Sequence, residues 1–194
     1  MTDKRPPARS RILDTATELF GAHGVRGVGV DRIIAESGVA KATLYSHFRS
    51  KDDLVVAYLR GADGHWRGSL QQAAASAGPA PRDQLLGLFD ALHMATVCDG
   101  FRGCAFLNTA CETERGTAPH ATSVEHKQAV RAWLGTLTEA AGADQPDLLA
   151  RQLSVLIDGV MSAAALEPTP DFAEAARAAA RTLISAACQD KAPA

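Results

Sequence analysis

Lys41, Thr43, Tyr45 and His47 bring hydrogen-bonding or cationic tips close together within the run AESGVAKATLYSHFRSKDDL at positions 35–54. Wound as a helix, this stretch places Ala40, Leu44 and Phe48 near one side. Ala42, Tyr45 and Ser46 then point the other way, flanked by Lys41, Thr43 and His47. Such a face suits a nucleic-acid duplex. Small residues at its tip fit a major groove roughly 12 Å wide, and the donors beside them reach phosphate oxygens. Taken alone, the same pattern describes any solvated helix face, and His47 would be an ordinary surface histidine.

Neighbouring elements must aim that helix. Periodicity is helical almost throughout, and no run of alternating β-branched residues argues for a strand, so the chain reads as all-α with about nine helices. A first helix spans about Arg9–Ala22, with Ile12, Ala16, Leu19 and Phe20 on one face and Gly24 as its stop. The second, about Val30–Ser37, turns Val30, Ile33 and Ile34 inward. Gly38 permits the tight left-handed turn into the third, about Ala40–Phe48. Helix, glycine turn and helix give helix-turn-helix spacing. Ser50, with Asp53 three places on, caps a long fourth helix from Lys51 to about Ser76. Gly61, Gly64 and Gly68 should leave this helix soft or kinked. GPAP at 78–81 is a break. Further helices are expected near Arg82–Cys98, Gly103–Glu114, Pro119–Ala141, Pro146–Leu166 and Pro170–Cys188, with a frayed tail QDKAPA.

Composition bounds the class. With 194 residues, 46% apolar and 22% charged, the chain can bury a full core and is neither disordered nor fibrous. No apolar run approaches the ~18 residues of a membrane span, and MTDKRPPARSR lacks the apolar segment of a signal peptide. A cytoplasmic protein without a membrane partner is expected. Lys and Arg outnumber Asp and Glu by ten to seven over residues 1–60, whereas acids lead by fifteen to ten afterwards. That asymmetry points the first segment towards a polyanion. Cys98, Cys104, Cys111 and Cys188 form no CxxC pair, so reduced thiols are expected.

Residues 9–60 resemble the N-terminal domain of TetR-family transcriptional regulators. ILDTATELFGAHG, DRIIAESGVAKATLYSHF and SKDDLVVAYL carry the likeness, with the turn glycine, the Thr-Leu-Tyr trio, Phe48 and the SKxxL cap in register. RGCAFLNTACE also resembles the start of the sixth helix in one branch of that family. The resemblance implies a three-helix DNA-binding domain at 1–50 and a ligand-binding and dimerisation domain at 51–194. It implies that Lys41, Ala42 and Thr43 face base edges or adjacent phosphates, and that Tyr45, His47 and Lys51 hold phosphates. Arg32 and the arm around Arg5, Arg9 and Arg11 would add contacts. Val28 and Gly29 stand where the family usually has a Thr or Ser cap, so a hydroxyl contact expected there is missing, and Ser46 is short for its position.

Regulators of this class read two half-sites as homodimers. Leu149, Leu153, Leu156 and Val160 of the eighth helix, with Ala176, Ala179 and Leu183 of the ninth, are the expected interface; the alternative is packing within one subunit. Trp66, Phe89, Met94, Phe106 and Trp133, with His93, Asn108, Cys111 and His126, have the composition of an apolar pocket for an inducer of unknown identity, or equally of a plain core. The function expected is a DNA-binding regulator, most simply a repressor that a small, largely apolar inducer releases from double-stranded operator DNA, with no cofactor and no metal. Cys104 and Cys111 leave a thiol-based redox sensor as an alternative. A ligand-binding module that no longer engages DNA is another. An enzyme is not expected, because no nucleophile signature accompanies the cysteines. No ligand spacing supports a metal at His93, Cys98, Cys104 and His126.

Overall fold

A computed structural model describes residues 6–98 and 100–188. Arg5 and the tail at 189–194 lie outside the described residues. Nine α-helices and no strand occur among the described residues: α1 (Ala8–Gly27), α2 (Val30–Ser37), α3 (Lys41–His47), α4 (Lys51–Ser76), α5 (Pro81–Thr96), α6 (Ala105–Glu112), α7 (Ala118–Ala140), α8 (Pro146–Leu166) and α9 (Asp171–Ala187). The all-helical reading therefore holds, with most ends moved by one or two residues.

The larger shifts have local causes. α1 runs past Gly24, which takes φ 75°, ψ 160° and kinks the helix before one last turn. Arg26 N–H, at that turn, donates to Glu112 Oε2 at 2.7 Å. α6 begins at Ala105, not Gly103, because Gly103 adopts φ 84°. α4 continues unbroken from Lys51 to Ser76 through Gly61, Gly64 and Gly68, so the expected kink is absent. Its cap is as expected: Asp53 N–H donates to Ser50 Oγ at 3.1 Å.

Packing groups the chain into two compact units, each discontinuous in sequence. One contains the described chain up to Asp63 together with Ala105–Glu125; the other contains Gly64–Cys104 and the described chain from His126 onward. Within the first, α1 packs on α2, α3 and α6, and α2 on α3. Its core includes Ile12, Ala16, Leu19, Phe20, Ile33, Leu44, Phe48, Leu54 and Leu59. The rings of Phe20 and Tyr58 meet at 5.6 Å between centroids. Burying side chains of this size stabilises by about 1.5–3 kcal/mol each, which anchors the short α2 and α3 that would not persist alone.

Within the second unit α5, α8 and α9 pack against one another around Leu85, Leu88, Phe89, Leu92, Leu153, Ile157, Ala180 and Ile184. α8 is long and apolar enough, by length and composition, to cross a membrane. Its Leu149, Ala150, Leu153, Ile157 and Val160 are buried in the protein core instead.

Candidate nucleic-acid interface

The α2–α3 turn is built on Gly38, at φ 63°, ψ 38°, a left-handed conformation that costs a side-chain-bearing residue about 1–2 kcal/mol. The turn delivers α3 with Leu44 only 1% exposed and Phe48 equally closed off just beyond the helix end. With the apolar side fixed inward, Lys41, Ala42, Tyr45, Ser46 and His47 are exposed and Thr43 is half-buried. Tyr45 is 43% exposed, so much of its ring stands open to solvent. Ser46 Oγ donates to Thr43 O at 2.8 Å, which keeps this short side chain folded against its own helix and the outer face low.

Charges around the helix are only loosely committed. Lys41 Nζ stands 3.5 Å from Asp31 Oδ1, with the two side chains 67% and 89% exposed, an ion pair that water screens to little value. Arg32 is more engaged: Nε donates to Glu36 Oε1 at 2.7 Å, and Nη2 lies 3.2 Å from His23 Nε2. Lys51, in the first turn of α4, is half-buried and lines a hollow of about 240 Å³ with Arg26, Asp52, Glu112 and Glu114. Of the expected arm, Arg9 and Arg11 make contacts within the fold. Arg9 places its guanidinium carbon 5.2 Å from the centre of the Phe48 ring, and Arg11 Nη1 donates to Ser37 O at 3.0 Å and Gly38 O at 3.3 Å.

These elements and this face belong to a known class. Residues 12–58 match the profile described as "Bacterial regulatory proteins, tetR family". A TetR-family transcriptional regulator of Streptomyces coelicolor has a solved structure that superposes with a TM-score of 0.86 at 35% identity, covering 94% of this chain and 96% of that one. The chain belongs to the TetR family. The regulatory protein TetR of Rhodobacter sphaeroides is similar too, with a TM-score of 0.76, 25% identity, and 91% and 97% of the two chains covered. Among curated proteins, the HTH-type transcriptional regulator BetI of Rhizobium meliloti is 25% identical over 93% of this chain and 89% of its own length. This TetR-family chain is accordingly a transcriptional regulator and not an enzyme.

The residues expected to line one pocket are dispersed in this regulator. Trp66 and Met94 do come together, with Gly64, Gln72, Phe101 and Met161, around an apolar hollow of about 1000 Å³ in the second unit. Phe89 and His93 line a different hollow of about 620 Å³ beside Asp90, Arg177 and Arg181. Phe106, Asn108 and Cys111 sit on α6 in the first unit, Phe106 buried and the other two exposed. His126 is buried and Trp133 half-buried in the second. His65, Gln72 and Met161 were missed as lining residues; the i, i+4 spacing of Gly64 and Gly68 was the signal of an open face on α4.

The residues expected at the dimer interface differ in exposure. Leu149, Leu153, Val160 and Ala176 are buried within the subunit; Leu156 and Leu183 are half-buried and Ala179 is exposed. α8 instead exposes Leu148 at 46%, Val155 at 70% and Leu166 at 89%, and seven- and eleven-residue steps keep these on one stripe. An amphipathic helix packed on both sides carries two apolar stripes, and composition alone does not assign them.

All four cysteines are free, Cys104 and Cys188 buried, Cys98 and Cys111 exposed. Lys127 lies beside Cys104 and bonds Asp158. Burial works against its ammonium, but the Cys104 sulfur and the Asp158 carboxylate outweigh it and hold the lysine pKa above its ordinary value. Among the described residues, no three His, Cys, Asp or Glu side chains gather as a metal site.

Proposed function

We propose that this TetR-family regulator is a homodimeric repressor that grips operator DNA through α3 and lets go when a small, largely apolar molecule binds. The observation that carries the DNA reading is the orientation of α3: Leu44 is sealed inward while Lys41, Ala42, Tyr45 and His47 are left in solvent with, among the described residues, one weak ion pair between them and Asp31. Lys41, Ala42 and Thr43 would meet base edges or neighbouring phosphates, with Tyr45, His47 and Lys51 on phosphates. Arg32 contributes less, since its guanidinium already serves Glu36 and His23. Residues 1–50 would serve as the DNA-binding domain, and 51–194 would carry the ligand and dimer functions.

Two copies joined along the exposed stripe of α8, with the alanine-rich outer face of α9, would present two α3 helices to half-sites roughly 34–36 Å apart or at a related spacing. The inducer belongs in the hollow around Trp66, Met94, Phe101 and Met161, whose lining is mostly apolar with few polar groups. It acts by binding the conformer with misplaced α3 helices more tightly, and release equals that difference in affinity. Selecting bound fragments from random duplexes, followed by salt-titrated gel shifts and a screen for small molecules that release the complex, tests each part. A monomer that retains no duplex at low salt overturns the proposal.

A second reading has one specific observation in its favour, the Lys127 ammonium beside the buried Cys104 thiol. A peroxide would then transfer one oxygen to the sulfur, giving a sulfenic acid while the peroxide is reduced to water. Added oxygen on the Cys104 peptide and peroxide-triggered DNA release, both lost in Cys104→Ser, would favour this trigger over a pocket ligand.

A further inference from the structure

Two arginines of α1 face the helix-turn-helix, and the nearer of them meets the end of α2 at the point where that helix is weakest. A helix leaves its last carbonyls without partners, and their partial negative charge favours a cation at that end. α2 ends in a left-handed glycine, and among the described residues Ser37 O and Gly38 O accept no backbone amide of the following turn. Arg11 Nη1 meets both, at 3.0 and 3.3 Å. These charge-assisted bonds join α1 to the hinge between α2 and α3. Its Nε is buried without a hydrogen-bond partner, so the side chain is sunk in the fold up to the guanidinium. Arg9, two residues earlier, lies over Phe48 at the far end of α3. The turn that leads into α3 and the residue that follows it are thereby both tied to one helix.

We infer that Arg11 is a positioning residue for α3, not a phosphate ligand. To reach DNA it would have to abandon two carbonyls that no backbone amide satisfies among the described residues. Held in place, it fixes the angle at which α3 leaves the turn and hence the register of Lys41, Ala42 and Thr43 against base edges. The inference rests on the DNA-binding reading above and goes beyond it, since it assigns an arginine of the positively charged segment to aiming and not to charge neutralisation.

Phosphate ligands and aiming residues separate cleanly by salt and by sequence. Removing one phosphate ligand makes the salt dependence of binding shallower by about one counterion and weakens specific and non-specific duplexes alike. Misaimed base readers weaken specific binding only, and the ratio of specific to non-specific affinity falls. The full-length protein and its Arg11→Lys, Arg11→Gln and Lys51→Ala variants are titrated with a selected operator and a scrambled duplex from low to high NaCl. Arg11→Lys keeps the charge, but its compact ammonium cannot serve both carbonyls in a guanidinium's geometry. It should lose about tenfold in operator affinity and little on the scrambled duplex, with an unchanged salt slope. Arg11→Gln keeps a donor without charge and should behave alike. Lys51→Ala should show the shallower slope. Melting curves taken alongside confirm that the variants are folded at the assay temperature.

A shallower slope for Arg11→Gln, or equal weakening on both duplexes, makes Arg11 a phosphate ligand and overturns the inference. Folded variants with wild-type affinity and discrimination do so too. A wild-type protein that binds neither duplex defeats the DNA-binding reading itself, which the variants' behaviour cannot mimic.

Discussion

Tyr45 and Lys51 mark the two kinds of contact a single side chain makes on a duplex. Tyr45 offers a neutral hydroxyl from an exposed ring, so Tyr45→Phe should weaken operator binding by about 1 kcal/mol and leave the salt dependence alone. Lys51 offers charge at the start of α4, where the helix's free N–H groups add to it. Lys51→Ala should therefore flatten the salt dependence by about one counterion in a gel-shift titration; an unaltered slope removes Lys51 from the interface. Lys127 makes a prediction of a different sort. A lysine whose pKa is raised by folding stabilises the protein fully below its unfolded value, about 10.4, and that contribution disappears as pH climbs through the folded value. Asp158→Asn removes one source of the rise, so chemical denaturation should show the variant less stable than wild type near neutrality, with the gap closing in strong alkali.

At the scale of elements, the packing of α6 on α1 includes one carboxylate set against one glycine. Glu112 is the last residue of α6, where the helix dipole disfavours a negative charge, and the Arg26 N–H at 2.7 Å offsets that cost. Gly24 bends α1 at φ 75° and passes so close that a Cβ would lie 2.5 Å from Glu112 Oε1. Gly24→Ala should lower stability by about 1–3 kcal/mol, combining backbone strain with displacement of Glu112. Glu112→Ala alone should cost about 1 kcal/mol. The double variant should be less destabilised than the sum, since it has no carboxylate to displace; strict additivity of the denaturation midpoints would refute the contact. α1, α2 and Gly38 were legible from spacing, because each is a local property of the chain. The continuation of α1 beyond Gly24 was not, because α6 supplies the group that holds it, from more than eighty residues away.

Across the whole molecule, the decisive question is which apolar stripe of α8 is left for a partner. Leu149, Leu153 and Val160 are used up in the subunit's own core, and Leu148, Val155 and Leu166 remain. Val155→Glu, at a site 70% exposed, should leave the melting of the isolated subunit nearly unchanged while placing an unpaired charge in the interface. Sedimentation should show a shift towards monomer, and operator affinity should fall with it, since both half-sites need occupation. A dimer of wild-type strength would locate the interface elsewhere.

By itself the sequence determined the helices, the glycine turn, the capped start of α4 and the outward face of α3. Each of these depends on residues within a turn or two of one another, where spacing is geometry. Tertiary packing decided what each surplus group does. It set Arg9, expected to add DNA contacts, over Phe48 and Arg11 against the turn before α3, sent Leu149 and Leu153 into the core, and divided the aromatic residues between separate hollows. An arginine or a leucine has the same character wherever it stands, and only the partners brought to it through space settle whether it binds, braces or packs.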